Sequence, residues 1–188
     1  AYEIPKRDWS SDVCSSDLGY LADLTSSMRP LQSSIPEGEW KAASYQGRLI
    51  GVPVMDQTYV VFANTDLFKK AGVALPTGTF TWDDFAALSK KLTTSTTYGL
   101  SVGLLKPATM SMIMSTNFGG QFFRGYTTNR ASVRVGNAEL EVPSRLFNMV
   151  YNDKSIDPAC LTVSAGGAES IFLAGKTAML LMGSYAAS

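Results

Sequence analysis

Apolar residues first gather at Leu21, Leu24, Met28 and Leu31, spaced three, four and three apart, which suits a helix or a loop-capped apolar face. Pro30 and Pro36 punctuate this stretch, and a short helix over residues 37–45 leads to a turn at Gln46-Gly47. Two apolar runs follow, at 48–54 and 58–63. Their unbroken apolar character predicts strands covered on both faces, as in a parallel or mixed α/β sheet. Asn64 or Thr65 can cap a helix over 66–71, with Gly72 in the left-handed closing position. Thr81 and Asp84 form a capping-box-like pair, Asp standing where Glu is usual, and Trp82, Phe85, Leu88 and Leu92 make one apolar stripe behind them.

The second half continues in the same alternation. A strand is expected over 98–104, a methionine-rich helix over 108–118 ending at Gly119-Gly120, and a weak strand over 133–135. Pro143 is read as the start of a helix over 143–151 that turns Leu146, Phe147 and Val150 to the core. A helix over 168–174 is closed by Gly175, and 177–182 reads as a buried strand. Strands alternating with helices predict an α/β fold.

The segment from Tyr45 to Val73 carries a specific resemblance. Tyr45-Gln46-Gly47-Arg48-Leu49-Ile50-Gly51-Val52-Pro53 is followed by Tyr59-Val60-Val61-Phe62-Ala63-Asn64-Thr65-Asp66-Leu67-Phe68-Lys69-Lys70-Ala71-Gly72-Val73, and then by Thr81-Trp82-Asp83-Asp84-Phe85. In that order these resemble the extracellular solute-binding proteins of ABC importers, in the sugar-binding family that includes maltose-binding protein. The resemblance runs from about Gly19 to the end of the chain. It implies a bilobed, periplasmic-binding-protein-like (type II) α/β fold, present here as a fragment, with residues 19–57 a remnant of the first lobe. Residues 58–188 would then be the second lobe, incomplete at its C-terminal end. Residues 1–18 read as the frame-consistent translation of a common short-read sequencing adapter, not as native protein.

The full chain has 16 basic and 16 acidic residues. Setting aside Lys6, Arg7, Glu3, Asp8, Asp12 and Asp17 leaves 14 basic against 12 acidic residues, a net of +2. Such near-neutrality implies no nucleic-acid or membrane-surface partner. Without Cys14, Cys160 stands alone, with no disulfide partner and no cysteine metal cluster, and reads as a small buried hydrophobe. There is no histidine, which removes the usual general base and the commonest metal ligand. Neither a cofactor nor a metal is expected.

Asp56 and Gln57 sit where one strand ends and the next begins. On the residues alone they read as a solvated loop; the resemblance makes this the first crossing between lobes, where side chains hydrogen-bond the ligand. Ser184 and Tyr185 follow the last strand, and the resemblance implies that both contact the ligand. Tyr185 suits a core position or ligand stacking equally, and the resemblance favours stacking, since the family often carries Gly-x-Trp here and a phenol keeps the π face. Ala108, Thr109 and Met110 stand where maltose-binding protein has aromatic sugar stackers, so a long maltodextrin is not expected. Met110, Met112 and Met114 read as packing residues, and Trp40 and Trp82 as structural. Phe118, Phe122, Phe123 and Tyr126 suit a cleft rim or, better, a satellite core. Ala174-Gly175-Lys176-Thr177 imitates the tail of a phosphate-binding loop, but Ser170 stands where its first glycine belongs.

The resemblance therefore implies a non-catalytic, extracytoplasmic binding component, periplasmic or held at the cell surface as a lipoprotein. It would capture a small solute, a carbohydrate first, between two closing lobes and deliver it to ABC permease subunits. An enzyme such as a transferase on a similar bilobed fold, and a non-catalytic scaffold or adhesion domain, stay open as alternatives.

Overall fold

The computed structural model describes residues 21–55, 57–125 and 130–187. The adapter-like segment, Asp56 and Tyr126 lie outside the described residues. Two compact units emerge: one holds the described residues up to Met55 together with those of Phe122–Arg134, the other holds Gln57–Gln121 and Val135 onward.

In the first unit, α1 (Thr25–Met28) runs into a 3-10 turn over Arg29–Ser34, and α2 (Glu37–Ala42) follows Pro36. Strands β1 (Ser44–Tyr45) and β2 (Arg48–Leu49) pair antiparallel across Gln46 and Gly47, whose φ values of 50° and 78° make the tight hairpin turn. The Leu49 side chain is fully buried, and its backbone is held at both ends: its N–H donates to Thr25 Oγ1 at 2.9 Å and its carbonyl accepts from Leu24 N at 2.8 Å. The strand expected over 48–54 stops at Leu49. Val52, Val54 and Met55 are exposed, so this run is not covered on both faces. Gly51 and Pro53 account for the difference: proline has no N–H to give a ladder, and glycine adds no side chain to pack.

In the second unit, β3 (Tyr59–Ala63) is followed by α3 (Thr65–Lys70) and α4 (Trp82–Leu92). Asn64 is the cap of α3: its Oδ1 accepts from Asp66 N and Leu67 N, each at 3.1 Å. Gly72 closes that helix at φ 65°. The expected capping box at α4 forms in full, Thr81 Oγ1 accepting from Asp84 N and Asp84 Oδ2 accepting from Thr81 N. Phe85 and Leu92 are buried, with Trp82 and Leu88 packed beside them.

Strand β4 (Tyr98–Ser101), helix α5 (Ala108–Ser115) and a 3-10 turn over Thr116–Phe118 come next. A short antiparallel pair, β5 (Phe123–Arg124) and β6 (Ser132–Val133), belongs to the first unit. Helix α6 (Asn137–Phe147) then continues into a π turn over Asn148–Asn152. It starts six residues before Pro143, which sits exposed inside the helix. The true start is fixed by the buried Glu139, whose Oε2 accepts from Gly136 N at 2.8 Å while Oε1 accepts from Gln121 N at 2.9 Å. Val142, Leu146, Met149 and Val150 form the core stripe. Phe147, expected inside, is 58% exposed, because it lies about 100° around the helix from Leu146; it packs instead on Tyr151, ring centroids 4.6 Å apart.

Helix α7 (Ala165–Leu173), closed by Gly175 at φ 69°, leads to β7 (Thr177–Gly183), every residue of which is buried. The sheet order is β3-β7-β4, with β7 antiparallel to β3 and parallel to β4. Met179 and Leu181 join the main core with Phe68, Phe85, Leu92, Leu100 and Met149, while Leu180 and Met182 pack on Ala168 of α7. Arg145 ties three elements together. Its guanidinium pairs with Asp83 of α4 and Glu141 of α6 and lies 4.9 Å above the Phe118 ring.

Two glycines test this packing with opposite signs. A methyl group at Gly99 of β4 would sit 1.8 Å from the Ser89 carbonyl oxygen of α4, whereas one at Gly38 in α2 meets nothing within 4 Å. Gly99→Ala should lower stability by about 1–3 kcal/mol or more. Gly38→Ala should raise it by about 0.4–1 kcal/mol. Urea denaturation of the two variants beside the parent checks both.

Candidate functional site

All three strands bring one end to the same place: the carboxyl ends of the parallel pair β4 and β7 meet the start of antiparallel β3. In open α/β sheets this is where ligand crevices form. A crevice of about 110 Å³ lies here, its polar lining drawn from Tyr59, Lys106, Thr109, Ser164 and Tyr185, with Val102, Met110 and Met182 as apolar floor. A larger cavity of about 420 Å³, lined by Phe80, Trp82, Phe85 and Phe118 with Thr81 and Asn117 as polar groups, lies away from the strand ends. The smaller crevice is the candidate because it is the one at the strand ends.

The backbone builds the crevice from Gly183. Gly183 is the register partner of Tyr59 across β3 and β7, and a methyl group at Gly183 would fall 2.2 Å from Cε1 of Tyr185. The missing side chain is therefore the space into which the Tyr185 ring folds, next to Tyr59. Tyr185 keeps 47% of its surface exposed. Burial, and secondarily the neighbouring Tyr185, raises the Tyr59 phenol above its ordinary pKa, so it stays a hydrogen-bond donor at neutral pH.

Ser184, one residue past β7, donates its N–H to the Thr58 carbonyl at 2.7 Å, and its Oγ accepts from Thr58 N at 3.4 Å. It extends the ladder by one step and carries Gln57 to the same sheet end. Gln57 is exposed; neither it nor Ser184 lines the crevice. Of the four residues singled out in the sequence, Tyr185 lines it, Gln57 and Ser184 adjoin it, and Asp56 lies outside the described residues. Thr109 and Met110 line it where the resemblance had placed aromatic stackers. Met110 is buried in the core as well. Tyr59, Lys106 and Ser164 were not singled out. Lys106 and Ser164 sit in loops that the sequence does not connect, and only the closeness of β4 to α7 brings them together. That closeness has a local cause at Gly103, where an added methyl group would meet Ala165 N at 2.4 Å.

Among the described residues, no group of three or more His, Cys, Asp or Glu could hold a metal ion. Cys160 is fully buried, with Val102 N donating to its sulfur at 3.4 Å. Burial pushes its thiol up to about 11 from an ordinary value of 9.0. The folded state thus holds the thiol proton more tightly than the unfolded chain does. This contribution to stability is complete below pH 9 and is lost as pH rises from about 9 to about 11, a total of about 2–3 kcal/mol. Cys160→Ala should remove that alkaline loss, read as the difference between parent and variant unfolding free energies at pH 8 and pH 11. A maleimide probe should label Cys160 at neutral pH only after unfolding.

No helix among the described residues is long and apolar enough to cross a membrane. A chain from Streptomyces antibioticus, an uncharacterized lipoprotein in the oleD 5′ region, is 31% identical over 170 residues, covering 88% of this chain and 38% of that one. An ABC substrate-binding protein from Listeria monocytogenes, solved in complex with cycloalternan, superposes with a TM-score of 0.70 at 29% identity, over 89% of this chain and 44% of its own. A solute-binding protein of an ABC transporter from Thermotoga lettingae, bound with α-D-tagatose, gives a TM-score of 0.70 at 17% identity over 91% and 45%. The two solved structures have the bilobed α/β fold expected from the resemblance, and this chain spans less than half the length of each of the three proteins. The family described as bacterial extracellular solute-binding protein matches residues 10–188, beginning inside the adapter-like segment, and the chain belongs to that family.

Proposed function

We propose that the protein captures a small solute, a carbohydrate by class, outside the cytoplasm and delivers it to the permease of an ABC importer without chemical change. The observation that carries this reading is the crevice at the strand ends, with two tyrosines side by side, in a chain of the solute-binding family. Tyrosine faces suit the C–H faces of a sugar ring, while phenol, threonine and serine hydroxyls exchange hydrogen bonds with its hydroxyls. The carbohydrates bound by the similar Listeria and Thermotoga proteins support the solute class. The lipoprotein relative supports an extracytoplasmic place, at the cell surface or in a periplasm. We assign ligand contacts to Asp56, Gln57 and Tyr185; Ser184 commits its N–H and Oγ to Thr58.

Calorimetric titration of the full-length protein with a panel of mono- and disaccharides tests the reading. Tyr185→Ala should weaken binding of whichever sugar binds by about 1–2 kcal/mol, and Asp56→Ala by about 1.5–3 kcal/mol. Gly183→Ala should act on binding more than on stability, since it evicts the Tyr185 ring, an atom group that can swing aside. Parent-like affinity in both alanine variants at 185 and 56 would overturn the assignment.

A further inference from the structure

One side chain of the crevice is held unlike the others. Lys106, Thr109, Ser164 and Tyr185 line it from exposed positions, where bulk water serves their polar groups. Tyr59 is half-buried, and its ring packs against the main core. It stands inside the β3–β7 ladder opposite Gly183, and the bonds between Thr58 and Ser184 close that ladder one residue further out. The ring is thus fixed by packing on one side and by register along its backbone. Its hydroxyl forms no hydrogen bond among the described residues and is not sealed from solvent. Burial, and secondarily the neighbouring Tyr185, hold the phenol protonated at neutral pH, so this hydroxyl can both donate and accept.

A hydroxyl carried by a fixed ring differs from one on a swinging side chain. Its position is ordered before anything binds, so little entropy is lost when a partner arrives. It also discriminates. A solute with a hydroxyl at the matching position bonds to it, whereas one without covers it and leaves it unpaired. The Tyr185 ring lies against Gly183, the register partner of Tyr59, so a sugar laid on Tyr185 brings its hydroxyl rim toward Tyr59. Resting on the reading of this crevice as the solute site, we infer that Tyr59 is a specificity-determining residue: its hydroxyl exchanges a hydrogen bond with one hydroxyl of the bound sugar and so selects the sugars that carry it. Tyr185 holds the ring whatever its hydroxyl pattern, and Tyr59 reads that pattern at one position.

The test uses the full-length protein, titrated calorimetrically with glucose, galactose, mannose, tagatose and laminaribiose, and then with the singly deoxygenated forms of the tightest binder. Tyr59→Phe removes the hydroxyl and leaves the ring in the core, so its thermal melt should match the parent's. It should bind the tightest sugar about 3- to 10-fold more weakly, as loss of one hydrogen bond requires. One deoxy form should lose the same factor against the parent, and Tyr59→Phe and the parent should bind that form equally. A ring that merely braces Tyr185 would produce neither effect. Parent-like affinity in Tyr59→Phe, or an equal loss in Tyr59→Phe for every deoxy form, overturns the inference and leaves the carbohydrate reading standing. Failure of the parent to bind any of the five sugars overturns both.

Discussion

The second unit depends on the burial of one strand. Thr177–Gly183 has no exposed residue: it takes its hydrogen bonds from β3 on one side and β4 on the other, and sends alternate side chains into two separate clusters. Each backbone polar group of such a strand must find a partner within the sheet, since water does not reach it. This requirement fixes the register of both neighbours, and with it the end of the sheet at which Tyr59, Gly183 and Tyr185 meet. Main core and crevice are thus two consequences of one alignment. A slip of one residue would turn Met179 and Leu181 out of the main core and would also move Gly183 away from Tyr59.

Punctuation made much of this organisation legible. The helix at Trp82 could be placed because Thr81 and Asp84 can bond only in a helix-start geometry, and Gly72 and Gly175 mark helix ends because a left-handed φ is cheap for glycine alone. The buried strand was legible over 177–182 because the five residues after Thr177 are all apolar and leave no polar face; Gly183 extends it by one residue. Residues 48–54 show the limit of the same reasoning. They are apolar, but an apolar run defines a strand only if a neighbour offers it a ladder, and sequence periodicity says nothing about neighbours. Pro143 misled for a related reason. Its preference for a first helical turn is a local effect, whereas Glu139 fixes the actual start through a bond that reaches back to Gln121, eighteen residues away.

The crevice was the least legible part. Tyr185 could be found because it follows a recognisable strand and a family pattern. Lys106 and Ser164 have no local signature, being a lysine before a proline and a serine before Ala-Gly-Gly. They meet only because Gly103 lets β4 approach the first turn of α7 closely enough to exclude a methyl group. Chemistry contributed by residues scattered along a chain is set by topology, and topology is the property that a linear pattern encodes most weakly.

Glu139 has a wider significance through what its two oxygens hold. By receiving Gln121 N on one and Gly136 N on the other, a single buried carboxylate pins together both feet of the excursion that carries β5 and β6. Once the feet of a loop are fixed by the frame, extra residues between them add closure entropy only logarithmically, about 0.6 kcal/mol for each doubling of length. The excursion is in this sense a socket: its contents can lengthen, shorten or be exchanged between lineages while the second unit's own helices and sheet are retained. Diversification of the protein's surface would then be expected to accumulate between Gln121 and Gly136 more readily than in the frame around it.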